Sequence, residues 1–151
     1  MEITNKQDQL TLWQVKALRA YLETAVWSEN CYGLAAESAH DCRGEDCHTS
    51  LLECGYSADD VDMADGFELA WLDLINFCRD CLLEEIDIQS IDPAQFGHDF
   101  WLTRNRHGAG FWDRGYGPAQ TTLGDRLTKL CKPYGEASLE VGPGDKLYHI
   151  G

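Results

Sequence analysis

The sequence has few basic residues and no long apolar run. Its 151 residues contain 12 Lys and Arg against 26 Asp and Glu, a formal net charge of -14. Binding to nucleic acid or to an anionic membrane needs a basic footprint, so this composition argues against both. No apolar stretch approaches the roughly 20 residues that span a bilayer, and the chain does not begin with a secretory leader pattern. These absences predict a soluble, cytoplasmic protein.

Common catalytic motifs are absent as well. There is no P-loop, no dinucleotide-binding fingerprint and no H-E-x-x-H. One polar cluster has the residue types of a small hydrolase with an anion site, and it consists of His98, Asp99, His107 and Asp113 with Arg104, Arg106 and Arg114. In a strand, His98 and Asp99 point to opposite faces, so no pair converges. We therefore predict a protein that is not an enzyme.

What the chain does have is one block of negative charge. Between Glu29 and Asp92 there are 17 acidic residues against two basic ones, Arg43 and Arg79. From Pro93 to Gly151, six acidic residues are balanced by seven basic ones. A charge block beside a neutral half indicates a negative surface that faces a partner with a basic one.

Two helices are predicted in the N-terminal part. Leu18, Leu22 and Ala25 follow helical spacing between Thr11 and Trp27, and Thr11 with Gln14 forms a capping box. Ser57 and Asp60 give a second capping signal, before an apolar stripe that continues to about Glu85.

Carboxylates recur along the second predicted helix. At 100° per residue they fall opposite its apolar stripe, and with the acids of the capping signal they form the predicted partner-binding surface: Asp59, Asp60, Asp62, Asp65, Asp73, Asp80 and Glu84. An ordinary solvated face is the alternative. We expect reversal of Asp62, Asp65 and Asp73 to Lys to leave the fold intact.

The density of these carboxylates can be compared with that of DNA. A helix of about 28 residues spans ~42 Å, and duplex DNA of the same length carries ~25 charges. Residues 58–85 hold nine acids and one Arg, so mimicry of nucleic acid would be partial.

The seven cysteines suggest reduced thiols and no cofactor. A bound zinc ion is the alternative. The candidate ligands lie in a long irregular segment from Ser28 to Gly55, and they are Cys42, Cys47, His48 and Cys54. That segment has no paired C-x-x-C. Cys78 and Cys81 have this spacing, but they lie on the apolar face of a predicted helix, where a free thiol acts as a small hydrophobic group.

The C-terminal half predicts two hairpins around a helix. Strands at 98–104 and 110–114 flank the turn residues 105–109, and strands at 138–141 and 146–150 flank Gly142 to Asp145. The helix between them carries Leu123, Leu127 and Leu130 at helical spacing. We therefore predict a single α+β domain, residues 1–151, with helices packed on a small antiparallel sheet of C-terminal hairpins. Its acidic helical part is 1–92 and its hairpin-helix-hairpin part is 93–151. The predicted core includes Leu18, Leu22, Phe67, Trp71, Leu74, Trp101, Leu102, Phe111, Leu127 and Leu130.

The run from Gly97 to Gly115, GHDFWLTRNRHGAGFWDRG, resembles a small protein family of tailed bacteriophages and prophages. The segment from Tyr21 to Trp27 is similar to the N-terminal helix of that family. The stretch from Cys31 to Cys54 departs from the family pattern. The resemblance implies a phage origin but no activity, and phage origin favours a host-directed role.

Charge and resemblance together predict an acidic phage protein in the host cytoplasm. Its expected partner is a host protein or complex with a basic nucleic-acid-binding surface, such as a CRISPR effector or a restriction enzyme, which it would inhibit. A zinc-binding adaptor or regulatory protein and a small hydrolase are the alternatives.

Overall fold

The computed structural model describes residues 11–29, 50–62, 65–106, 109–113, 120–142, 144 and 146–151, without the side chains of 65–67, 113 and 120–122. These residues form helices α1 (Leu12–Ser28), α2 (Asp65–Leu83), α3 (Pro93–Arg104) and α4 (Gln120–Cys131), and strands β1 (Ser138–Gly142) and β2 (Lys146–Ile150). Four 3-10 turns lie between them, at Ala58–Asp60, Ile88–Ser90, Phe111–Asp113 and Lys132–Tyr134. The predicted α+β class is confirmed. In this part of the chain no helix is long and apolar enough to cross a membrane.

Helix α1 begins at its predicted capping box. The backbone N–H of Gln14 donates to Thr11 Oγ1 over 3.2 Å, and Gln14 Oε1 accepts from the backbone N–H of Thr11 over 3.1 Å. Two orphan donors of the first turn are thereby satisfied. Leu18 and Leu22 are buried on its inner face, as predicted.

Helix α3 packs closely on α1 because Gly97 has no side chain. A Cβ atom at Gly97 would lie 1.9 Å from the carbonyl oxygen of Ala17, which is far inside van der Waals contact. Trp101 then donates its indole N–H to Ser28 Oγ over 2.7 Å near the end of α1. The two backbones therefore touch where Gly97 faces α1.

The first predicted hairpin is wrong. Residues 98–104 belong to α3, and residues 111–113 form a 3-10 turn. Asp92 caps the helix by accepting from the backbone N–H of Gln95 over 2.9 Å, and Pro93 occupies its first turn. The strand prediction relied on the strand propensity of Phe100 and Trp101. That propensity reflects how well aromatic side chains pack, and in helix α3 both side chains are completely buried.

An aromatic core joins α2 to α3. Phe77 stacks on Phe100 with ring centroids 4.2 Å apart, and Phe96 and Phe111 lie within 6 Å of Phe77. Seven predicted core residues are buried, namely Leu18, Leu22, Leu74, Trp101, Leu102, Phe111 and Leu127. Trp71 and Leu130 are partly buried against this core, and the side chain of Phe67 lies outside the described residues.

The second predicted hairpin is confirmed. β1 and β2 pair antiparallel, with Val141 opposite Leu147 and Gly142 opposite Lys146. Leu147 and His149 alternate onto the buried face, and β2 packs against α2.

Helix α2 is shorter than predicted. The capping box at Ser57 and Asp60 is present, but it begins a 3-10 turn. Val61 then forms a parallel bridge with Leu147, and the backbone N–H of Asp62 donates to the carbonyl of Leu147 over 2.8 Å. This pairing with β2 holds the chain extended, so the α-helix begins only at Asp65. Of the predicted irregular segment, residues 30–49 lie outside the described residues.

Candidate functional site

Two carboxylates of the predicted acidic surface turn inward instead. Asp73 Oδ2 accepts from Arg104 Nη1 over 2.7 Å, and Asp80 Oδ2 accepts from the hydroxyl of Tyr134 over 2.6 Å. Helix α2 carries apolar residues on several sides, including the exposed Leu69 and Leu72, and Asp73 and Asp80 lie at the border of its buried face and not opposite it. The prediction that Asp73 and Asp80 form part of a solvent-facing row is therefore wrong.

Arg104 is the centre of a buried polar network. Its Nε donates to the carbonyl of Gly135 and its Nη2 to the carbonyl of Tyr134, both over 2.9 Å. Its Nη1 donates to the hydroxyl of Tyr21 over 2.9 Å as well as to Asp73. Burial lowers the pKa of Arg104, but Tyr21 and Asp73 more than offset this and raise it overall. The guanidinium is thus held charged inside the fold, and it ties α1, α2 and α3 to the turn after α4.

His149 completes this network from β2. Its Nε2 lies 2.7 Å from the hydroxyl of Tyr21, and its Nδ1 is buried with no hydrogen-bond partner among the described residues. Burial, followed by the nearby charge of Arg104, lowers the pKa of His149 to about 4. The imidazole is therefore neutral at neutral pH, and burial also raises the pKa of Tyr21. Because its hydrogen bonds join α1, α2, α3 and the turn after α4, the network is a structural anchor of the fold.

The remaining predicted partner-binding residues divide into two groups at the two ends of α2. The first, the N-terminal acidic group, is Asp59, Asp60 and Asp62. Asp59 is 76% exposed in its side chain and lies 3.4 Å from Arg19, Asp60 accepts from the backbone N–H of Ser57, and Asp62 is half-buried. The side chain of Asp65 lies outside the described residues.

The second group lies beyond the end of α2. Glu84 is exposed there, and the exposed Asp87 and Asp92 follow before α3. These three are the C-terminal acidic group. Sequence reasoning identified only Glu84, because Asp87 and Asp92 follow the helix and have no place in its periodicity. The 19 residues of α2 separate the two groups by ~28 Å at 1.5 Å per residue.

Only one of the four predicted zinc ligands, Cys54, lies in the described part of the chain. Cys42, Cys47 and His48 lie outside the described residues, while Cys54 is 2% exposed and belongs to the hydrophobic core. Among the residues that the structure does describe, no group of three or more His, Cys, Asp and Glu side chains could hold a metal ion.

The packed cysteines behave as predicted for Cys78 and Cys81. Both are buried, and burial raises the pKa of each thiol to about 12. Burial also raises the pKa of Cys131 well above its usual value. All three thiols are protonated at neutral pH and are therefore poor nucleophiles.

The polar cluster of the hydrolase alternative is only partly assembled. The prediction that His98 and Asp99 point to opposite faces assumed a strand. In helix α3 their side chains approach each other, with His98 Nδ1 3.2 Å from Asp99 Oδ1. Arg104 is committed to the buried network, whereas Arg106 is exposed. His107, Arg114 and the side chain of Asp113 lie outside the described residues.

A cleft that sequence reasoning missed opens beside Arg104. It has a volume of about 720 Å³ and lies between the end of α3, α4 and the turn after α4. Its exposed lining side chains include two cations, Arg106 and Lys132, and the half-exposed indole of Trp112. The cations are 26 residues apart in sequence, so no local pattern could have indicated the cleft.

No protein-family model, curated protein or solved structure matches this chain.

Proposed function

We propose that the protein is a non-catalytic phage protein that inhibits a host nucleic-acid-handling defence complex by placing carboxylates against a basic surface of that complex. The observation that carries the proposal is the concentration of exposed negative charge after α2. Glu84, Asp87 and Asp92 are all exposed, and residues 84–92 contain no basic residue. Such a patch attracts a cationic surface and repels nucleic acid.

The separation of the two acidic groups favours contact at two points. Asp73 and Asp80, which lie between them in sequence, are engaged by Arg104 and Tyr134. Duplex DNA would present ~16 charges over the same ~28 Å. The protein therefore fits a partner whose basic residues cluster at two places better than one that grips a continuous duplex.

Electrostatic contact of this kind acts mainly on association. Exposed charges at the rim of an interface set the on-rate and its salt dependence more than they set the final affinity. The inhibitor would reach the basic surface of its target quickly and compete there with nucleic acid.

The test is a pull-down from host lysate at low and high salt, followed by binding measurements with the captured complex. Glu84→Lys combined with Asp87→Lys should slow association strongly at low salt. Asp87 makes no side-chain capping hydrogen bond and both residues are exposed, so the fold should tolerate the change. Asp59→Lys tests the N-terminal acidic group in the same assay.

The matched control reverses two exposed carboxylates outside the acidic block, Glu23→Lys with Glu140→Lys, which changes the net charge equally. It should bind nearly as the parent does. If both double variants lost binding equally, net charge alone would explain the effect. That result would contradict binding through a defined acidic surface. Failure of DNA or RNA to compete for the partner would contradict blockade of a nucleic-acid site.

A further inference from the structure

The cleft beside Arg104 has no part in the acidic surface and carries the opposite charge at its mouth. Among the described lining residues, Arg106 and Lys132 are exposed cations and Glu136 is the one exposed carboxylate. These two cations contrast with the net charge of -14 of the whole chain. Its volume of about 720 Å³ lies within the range of small-molecule sites, which is roughly 300–1,000 Å³.

The walls of the cleft are held in place by the fold. The backbone N–H of Phe111 donates to Thr103 Oγ1 over 3.0 Å, which fixes the turn that carries Trp112 to α3. The same turn sits directly on α4, because a Cβ atom at Gly124 would lie 2.6 Å from the carbonyl oxygen of Phe111. Arg104 forms part of the inner wall and is fixed by its hydrogen bonds to Gly135 and Tyr134. A preformed wall of this kind lowers the entropy lost on ligand binding.

Arg106 occupies a backbone position that favours glycine. It follows the end of α3 with φ 57°, and its N–H donates to the carbonyl of Thr103 over 3.2 Å. This is the left-handed position after a helix, where a side chain is unfavourable and glycine is most common. Arg106 therefore lines the cleft from a backbone position that an arginine side chain disfavours.

We propose that this cleft binds a nucleoside monophosphate, with the phosphate between Arg106 and Lys132 and the base stacked on Trp112. Trp112 lines the cleft and is 49% exposed, which leaves its indole accessible to a base. Arg104 is neutralised by Asp73, so among the described lining residues Arg106, Lys132 and Glu136 leave a single net positive charge, which matches one phosphate better than a triphosphate. The site is independent of the acidic surface and of its partner.

Calorimetric titration of the full chain with AMP, adenosine and inorganic phosphate tests the site. AMP should bind at least about tenfold more tightly than adenosine or phosphate, since each half uses only part of the cleft. Trp112→Ala should weaken AMP binding at least about fivefold and leave phosphate binding unchanged, because base stacking on an aromatic ring is lost. Absence of AMP binding, or phosphate binding as tight as that of AMP, would overturn the proposal.

Arg106→Gly separates binding from stability. Removal of the side chain should raise the urea midpoint of unfolding, because glycine suits the backbone, and should abolish AMP binding, because the cation is lost. The matched control is Glu85→Gly, since Glu85 occupies the equivalent position after α2 with φ 59° and is remote in sequence from the cleft lining. It should also raise the midpoint and leave AMP binding unchanged. Tight AMP binding by the Arg106→Gly protein would contradict the site.

Discussion

Arg104 Nη1 donates to Asp73 Oδ2 over 2.7 Å, across 31 residues of sequence, and the Arg104 side chain is only 1% exposed. Asp73 is 29% exposed, so solvent screens its side of the pair in part. A cation that is buried this deeply requires its partner, because removal of one member leaves an uncompensated charge inside the protein. The carboxylate of Asp73 is therefore part of the fold, and we expect reversal of Asp62, Asp65 and Asp73 to Lys to destabilise the protein, contrary to the expectation from the sequence.

Asp73→Asn should lower the free energy of unfolding by about 2 kcal/mol or more, because Arg104 stays charged while its counter-ion is lost. The control is Asp59→Asn, which removes the exposed pair with Arg19, whose side chains are 60% and 76% exposed. Exposed pairs contribute less than about 1 kcal/mol. Urea unfolding measures both, and equal losses would contradict the structural role of Asp73.

Acidification should destabilise the protein through His149. Its pKa is lowered from 6.5 to about 4 by burial and by Arg104, so the unfolded chain binds a proton between these values that the folded protein does not. The stabilisation is fully present above about pH 6.5, is lost as the pH falls towards 4, and amounts to roughly 3 kcal/mol. Urea midpoints across this range measure it. His149→Gln should remove the slope between pH 6.5 and 5, and an unchanged slope would contradict the assignment.

Gly97→Ala should destabilise the protein by about 2 kcal/mol or more, although alanine is the better helix former. The added methyl group meets the carbonyl of Ala17 and forces α3 away from α1. Ala94→Gly, at an exposed position of the same helix, should cost about 1 kcal/mol through propensity alone. Thermal unfolding compares them, and a Gly97→Ala protein more stable than the parent would exclude this close contact.

Zinc content tests the metal alternative. If the segment that contains Cys42 and Cys47 binds zinc, the purified protein should hold about one zinc per chain, and Cys42→Ser or Cys47→Ser should lower both metal content and stability. Cys54→Ser is uninformative, because Cys54 is buried in the core. Cys78→Ala is the control that should lower stability without a change in metal. Zinc-free protein of full stability would exclude the zinc-binding adaptor.

Local signals in the sequence determined the start of α1 and the second hairpin. The predicted capping residues Thr11 and Ser57 both cap helical turns in the structure, although the turn at Ser57 is a 3-10 turn, since a cap depends on atoms three residues away. The turn between β1 and β2 was predictable for the same reason, with Gly144 in a left-handed conformation of φ 73°. These features need no knowledge of the rest of the chain.

Tertiary structure alone decided the form of residues 98–104, the direction of Asp73 and the existence of the cleft. The aromatic residues of α3 suit either a strand or a helix, and close packing against α1 at Gly97 selects the helix. Asp73 turns inward because Arg104, 31 residues later, is buried beside it. The walls of the cleft come from α3, α4 and two turns, and their side chains meet only when those elements pack. Hydrogen bonds and steric contacts between distant residues determine these features, and no periodicity along the chain encodes them.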